Sequence, residues 1–192
     1  MLFVCTGNLC RSPIAERLTR AALARHSAIV VESAGTHVRP GERMTSKAVR
    51  ALEKAGVRAA DSVARQLTSQ MIREADLLLV ATRAHRAWVV SECPRAVGRV
   101  FTIAEFGALA DVVSAVEVTC HDDLVRRAST LVTEVQALRG LVQVDQPDIP
   151  DPYGGSARAY RATVRRVQAA LASPIAILTA EVTRRPEVPA AR

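Results

Sequence analysis

The stretch VCTGNLCRSP, Val4 to Pro13, sets a cysteine and an arginine six positions apart across a turn containing glycine and asparagine. The spacing alone decides nothing, because arginine is frequent and Cys-x5-Arg recurs at Cys93–Arg99 and Cys120–Arg126. The first copy differs in its frame. Leu2-Phe3-Val4 is short and apolar, as a buried parallel strand is. Gly7 and Asn8 can take left-handed backbone angles that turn amides inward. Pro13 suits the first position of a helix whose inner stripe is Ile14, Leu18, Ala21 and Ala22. Strand, glycine loop and helix N-terminus together aim several N–H groups at one point, a cradle for an anion. In the second copy Pro94 removes an amide and the segment precedes a strand; in the third, Asp122 and Asp123 stand where an anion would sit. Cys93 and Cys120 therefore read as ordinary, partly buried thiols.

Working outward, further strands are expected at Ala28–Ser33 (closed by Gly35), Asp76–Ala81 and Arg99–Ile103. Helices are expected at Ser46–Ala55, stopped by Gly56, and at Thr82–Val90. Strand and helix alternate, which predicts a parallel sheet covered on both faces. Residues 105 to about 139 read as helical, with Leu124, Ala128, Leu131, Val135 and Leu138 in phase. A proline-punctuated loop, QVDQPDIPDPYGG (Gln143–Gly155), leads to a basic amphipathic helix over Ser156–Ala172 with Ser156 as N-cap, and the end of the chain reads as a solvated tail.

The 192 residues, 49% of them hydrophobic, suffice for one domain with a sizeable core. No apolar run reaches the roughly 18 to 20 residues that cross a bilayer, and no leader pattern is visible at the N-terminus. A cytoplasmic protein with reduced thiols is expected. Cysteines 5, 10, 93 and 120 form no zinc pattern. The net charge of +7 comes from arginines scattered singly or in pairs, with only 3% aromatics for stacking, which argues against a nucleic-acid surface.

A cysteine at a helix N-terminus beside an arginine favours the thiolate, and Cys5 is the candidate nucleophile. Arg11 offers a planar fork of donors for phosphate oxygens, and Ser12 can hydrogen-bond the thiolate and help it leave. Displacing an alkoxide or phenoxide from phosphorus also needs an acid on the leaving-group side. Asp148 and Asp151 are available, and the Pro150-Asp151-Pro152 arrangement, which fixes an extended backbone, makes Asp151 the better candidate. Tyr153 could wall a pocket for a flat leaving group.

These residues resemble the low-molecular-weight protein tyrosine phosphatase family through LFVCTGNLCRSPIAE (Leu2–Glu16), ESAGT (Glu32–Thr36), ARQLT (Ala64–Thr68), ADLLLVATRAHR (Ala75–Arg86) and DIPDPYGG (Asp148–Gly155). The resemblance implies a flavodoxin-like doubly wound sheet of four parallel strands with helices on both faces. It implies Cys5, Arg11 and Asp151 as catalytic residues, with a phosphocysteine on Cys5 and Asp151 acting first as acid, then as base. It also implies that Thr6, Gly7, Asn8, Leu9, Cys10, Ser12 and Tyr153 bind substrate, that no metal or cofactor is used, and that the partners are tyrosine-phosphorylated proteins, a cognate tyrosine kinase among them. Cys10 is either a disulfide partner that shields Cys5 or a loop-packing residue. Against that family the chain carries a helical insertion at about 105–142 and a tail over 176–192 beyond a phosphatase domain at 1–175.

Two related activities share the scaffold. Arginine phosphatases resembling this family carry threonine where this chain has Leu9, whose apolar side chain suits a phenol ring instead. Arsenate reductases need a close second redox pair, whereas Cys93 and Cys120 are 27 residues apart. A different class, a non-catalytic phosphoprotein or nucleic-acid binding module, is disfavoured by the complete set of Cys5, Arg11, Ser12 and Asp151.

Overall fold

The computed structural model describes residues 1–26, 28–59 and 63–181. Strands β1 (Leu2–Cys5), β2 (Glu32–Gly35), β3 (Leu78–Val80) and β4 (Val100–Thr102) form one parallel sheet in the order β2-β1-β3-β4. Phe3, Leu79 and Phe101 point into one core cluster, while Leu2, Val4, Leu78, Val80 and Val100 point into another. Both faces are buried, which is why LFV and LLV are continuous apolar runs rather than alternating ones. The chain winds in opposite directions on either side of β1, and the carboxyl end of the sheet at such a switch point opens a crevice.

The helices are α1 (Arg11–Ala22), α2 (Ser46–Lys54), α3 (Ser69–Glu74), α4 (Arg83–Glu92), α5 (Ile103–Ala110), α6 (Ala115–Thr119), α7 (Leu124–Leu138) and α8 (Ala157–Thr179). Residues of α1, α2, α5, α7 and α8 fill the first cluster, and those of α3 and α4 the second. This is the doubly wound, flavodoxin-like arrangement, with helices filling the 105–142 segment.

Three boundaries differ from the sequence reading. The second strand, expected at 28–33, starts at Glu32 because Leu2, where β1 begins, is its register partner; ahead of it Val30 is 66% exposed. Helix α1 begins at Arg11, so Pro13 is its third residue, still within the turn whose amides lack intrahelical acceptors. Helix α8, expected to end at Ala172 with a tail from 176, continues through Pro174 to Thr179, and its Ile177 and Leu178 are buried. Pro174 cannot donate to the Ala170 carbonyl. Gly107 of α5 packs on that carbonyl, and a Cβ there would lie 2.1 Å from the oxygen. The buried Arg127 of α7 secures the same end, with Nε donating to the His121 carbonyl at 2.6 Å and Nη1 to the Leu178 and Ala180 carbonyls at 3.2 and 2.5 Å. A guanidinium thus serves the carbonyls that a helix C-terminus leaves without partners. The remainder of the expected tail, 182–192, lies outside the described residues. Helix α3 was not anticipated: it has six residues, of which only Ile72 is buried, too short a pattern to show periodicity.

Candidate active site

Cys5 ends β1 and is buried, and residues 6–10 form the loop into α1. Asn8 alone makes the left-handed turn, at φ 55°; Gly7 keeps an ordinary φ, so the reading of Gly7 as a second left-handed residue does not hold. An Asn in this region costs little because its side chain hydrogen-bonds locally, and here every polar atom of that side chain is used. Asn8 Nδ2 donates to Ser12 Oγ and Ser33 Oγ, each at 2.9 Å, and Oδ1 accepts the Arg65 amide at 2.9 Å. Ser33 Oγ donates in turn to Glu16 Oε2 at 2.5 Å, and Glu16 meets Arg20 at 3.1 Å. The loop is also sewn to the end of β2, where Thr36 and His37 amides donate to the Cys5 and Thr6 carbonyls at 2.9 Å. That approach requires Gly35: a Cβ there would stand 2.4 Å from the Thr6 carbonyl oxygen and 2.9 Å from the Asn8 nitrogen.

Within this frame Cys5 Sγ lies 2.9 Å from Ser12 Oγ. The Ser12 hydroxyl accepts from Asn8, so its single proton goes to the sulfur or to the Ala34 carbonyl, which is farther at 3.3 Å. Arg11, 5% exposed, donates through Nη2 to Asp151 Oδ2 at 2.6 Å, and its Nε is buried without a partner. Nη2 also reaches Thr6 Oγ1 at 3.4 Å, and Thr6 Oγ1 lies 2.9 Å from His85 Nε2. His85 Nδ1 sits 2.7 Å from Thr82 Oγ1, the N-cap of α4. Burial first, and the nearby Arg11 second, lower the His85 pKa to about 4, so the imidazole is neutral near pH 7.

The two aspartates of the DIPDPYGG loop separate clearly. Asp148 Oδ1 accepts the first amide of α4, from Arg83, at 2.8 Å, and the neighbouring Ile149 amide donates to the Ala81 carbonyl at 2.8 Å, tying the loop to the end of β3. Asp151, its side chain 48% exposed, faces Arg11 instead. Cys5, Thr6, Gly7, Leu9, Cys10, Arg11, Asp151 and Tyr153 line one cleft; Asn8 and Ser12 lie beneath it as supports. His37, Arg39 and Glu42 at its mouth were not foreseen. Cys10 Sγ lies 3.6 Å from Thr45 Oγ1 and 3.8 Å from the Tyr160 hydroxyl, and burial pushes its thiol pKa up. Among the described residues no group of three or more His, Cys, Asp or Glu side chains could hold a metal ion, and no helix is long and apolar enough to cross a membrane.

Ser33, Glu16, Arg65 and His85 were not identified beforehand as parts of the site. Each lies within a quoted stretch, but its partner is 17 to 79 residues away, and only the sheet brings the two together.

Comparison with known proteins agrees with this geometry. The family described as low molecular weight phosphotyrosine protein phosphatase matches residues 1–111. The protein-arginine-phosphatase of Bacillus subtilis (strain 168) is 38% identical over 107 residues, 55% of this chain and 71% of that protein. The low molecular weight protein-tyrosine-phosphatase Etp of Escherichia coli (strain K12) is 35% identical over 106 residues, 55% of this chain and 70% of Etp. The crystal structure of the Erwinia amylovora tyrosine phosphatase amsI superposes with a TM-score of 0.68 and 27% identity, covering 93% of this chain and 92% of amsI. Sequence likeness to the first two covers about half of the chain, whereas the backbone likeness covers nearly all of it. The chain belongs to the low molecular weight phosphotyrosine protein phosphatase family.

Proposed function

We propose that the protein hydrolyses phosphotyrosine in proteins through a phosphocysteine on Cys5. The observation that carries this reading is that the Cys5 sulfur, 2.9 Å from Ser12 Oγ, and the Arg11–Asp151 pair, 2.6 Å across, open on one cleft. The loop amides and the Arg11 guanidinium, whose Nε has no partner among the described residues, receive the phosphate. The arriving dianion displaces the Asp151 carboxylate from Arg11, and Asp151, released from that ion pair, takes up a proton from solvent and turns to the leaving group. The Cys5 thiolate attacks phosphorus, the P–O bond to the phenol breaks, and protonated Asp151 gives its proton to the phenolate oxygen. Arg11 holds the equatorial oxygens as charge spreads over them. Asp151, now a carboxylate, then takes a proton from water as that water attacks phosphorus. The S–P bond breaks, Ser12 donates to the departing thiolate, and inorganic phosphate is released. Burial keeps the Cys10 thiol protonated and out of the nucleophile's role.

Leu9 and Tyr153 flank the cleft and suit a phenol ring. The substrates are tyrosine-phosphorylated proteins of the cytoplasm, a cognate tyrosine kinase among them. The 38% identity to an arginine phosphatase, with the Glu42 carboxyl at the cleft mouth, supports phosphoarginine as the second reading. Phosphotyrosine, phosphoarginine and phosphoserine peptides, with arsenate, separate the two. Phosphotyrosine is expected to lead by about tenfold or more in kcat/KM, and Leu9→Thr to narrow that lead. Faster turnover of phosphoarginine would overturn the tyrosine assignment.

A further inference from the structure

A second cleft opens on the other side of the DIPDPYGG loop, lined by Arg83, Arg86 and Arg139 over Leu109, Val142 and Val144. Its charges are unequally matched. Each nitrogen of Arg139 has a partner: Nε meets Glu105 Oε1 at 3.2 Å, Nη1 and Nη2 donate to the Val97 and Val100 carbonyls at 2.9 and 2.7 Å, and the guanidinium lies 3.8 Å over the Phe101 ring. Arg83, its side chain 71% exposed, meets Asp148 through Nε at 3.5 Å. Arg86 has no carboxylate within ion-pair distance among the described residues, and its Nε is buried with no hydrogen-bond partner.

A buried guanidinium N–H without an acceptor costs free energy. The charge on Arg86 is also close enough to Arg139 to make the protonated form of Arg139 less favourable, after burial, which acts more strongly in the same direction. Among the described residues the carboxylates that pair with these arginines are Asp148, with Arg83, and Glu105, with Arg139, and both are already engaged. The cleft has a volume of about 230 Å³, more than a simple phosphate ion occupies. The planar forks of Arg83 and Arg86 match the oxygens of a phosphate group bidentately.

We propose that this arginine cleft is a binding site for a phosphorylated small molecule, separate from the Cys5 cleft, with Arg86 as its principal ligand and Arg83 as the second. The inference does not rest on the tyrosine reading above. Phosphate chemistry could enter from a free inorganic polyphosphate or from a phosphorylated metabolite such as a nucleotide, and the two are distinguished by titrating each separately.

The test is calorimetric titration of Cys5→Ser protein with pyrophosphate, and in parallel with ADP. Two saturable pyrophosphate sites are expected. Arg11→Lys is expected to weaken only one of them, while Arg86→Gln weakens the other at least tenfold and Arg86→Lys weakens it less. Tighter binding of ADP than of pyrophosphate at the Arg86-dependent site assigns it to a nucleotide-type metabolite, and the reverse assigns it to a free polyphosphate. Hydrolysis of p-nitrophenyl phosphate by Arg86→Gln with Cys5 intact, expected to be unchanged, confirms that the variant folds. A single site lost with Arg11→Lys, or a titration unaltered by Arg86→Gln, overturns the proposal.

Discussion

Cys5–Arg11 and Cys93–Arg99 share a spacing and almost nothing else. In the first, the cysteine ends a strand and the arginine opens a helix, buried, with one nitrogen unpartnered and another on the half-exposed Asp151 carboxylate. In the second, the intervening residues wind into a 3-10 helix (Pro94–Arg99) that leads into β4. Every nitrogen of the Arg99 guanidinium is committed there to a backbone carbonyl: Nε to Ala75 at 2.9 Å, Nη1 to Arg95 at 3.2 Å, and Nη2 to Ile72 and Arg73 at 3.2 and 3.3 Å. One arginine closes the end of α3; the other keeps a buried nitrogen unpartnered beneath the cleft. What makes a Cys-x5-Arg segment an anion site is therefore whether the backbone leaves donors unused, which spacing does not encode.

The largest expected contrast follows from the nucleophiles. Cys5→Ser should reduce p-nitrophenyl phosphate turnover by roughly 10³-fold or more, whereas Cys93→Ser should leave kcat within about twofold; equal effects would break the comparison. Next in size is the aspartate pair. Asp151→Ala is expected to lower kcat by about 10²- to 10⁴-fold. Asp148→Ala, which removes the acceptor for the Arg83 amide, should instead lower thermal stability by about 1 kcal/mol, read as a shift in Tm.

Gly35→Ala tests the frame around the first segment. With a methyl forced against the Thr6 carbonyl and Asn8 amide, destabilisation of about 1 to 3 kcal/mol is expected, accompanied by loss of turnover. Denaturant unfolding together with the kinetics checks both.

His85 adds a pH signature that the second segment lacks. Its native pKa of about 4 lies below the unfolded value near 6.5, so the unfolded chain binds a proton that the native state refuses between them. Its contribution is fully present above pH 6.5 and declines as pH falls towards 4, by roughly 3 kcal/mol in all. Denaturant midpoints for wild type and His85→Gln across pH 4 to 7 should show a shallower slope in the variant. At the decoy turnover per folded molecule is expected to be unchanged: Arg99→Met should cost only stability, about 1 to 2 kcal/mol, through the carbonyls it abandons.

The parallel sheet was legible because both faces of β1 and β3 are buried, which makes their apolar runs continuous. The grouping of Cys5, Arg11, Ser12 and Asp151 was legible because the first three are local to one loop and Asp151 lies between two prolines. Gly7 was misread: both Gly and Asn tolerate left-handed angles, and the choice between them fell to Asn8, whose amide is fixed by Ser33 and Arg65. The strand position at 28–33 was misplaced because Ile29, Val30 and Val31 look more strand-like than Glu32-Ser33-Ala34-Gly35, yet pairing with Leu2 sets the register. The last helix was expected to stop at Ala172, but it runs on through Pro174, and the Ala170 carbonyl that Pro174 leaves free lies against Gly107, a helix crossing that no local pattern reveals.

The central claim, that Cys5 alone among the cysteines carries the phosphoryl group, is tested most directly by rapid acid quench of Asp151→Ala protein mixed with p-nitrophenyl phosphate, followed by peptide mass analysis. The account predicts one phosphoryl group on the peptide containing Cys5, assigned by fragmentation to Cys5 and not to Cys10, and none on the peptides containing Cys93 or Cys120. A phosphoryl group on either of those peptides, or none on Cys5 while nitrophenol is being released, would contradict it.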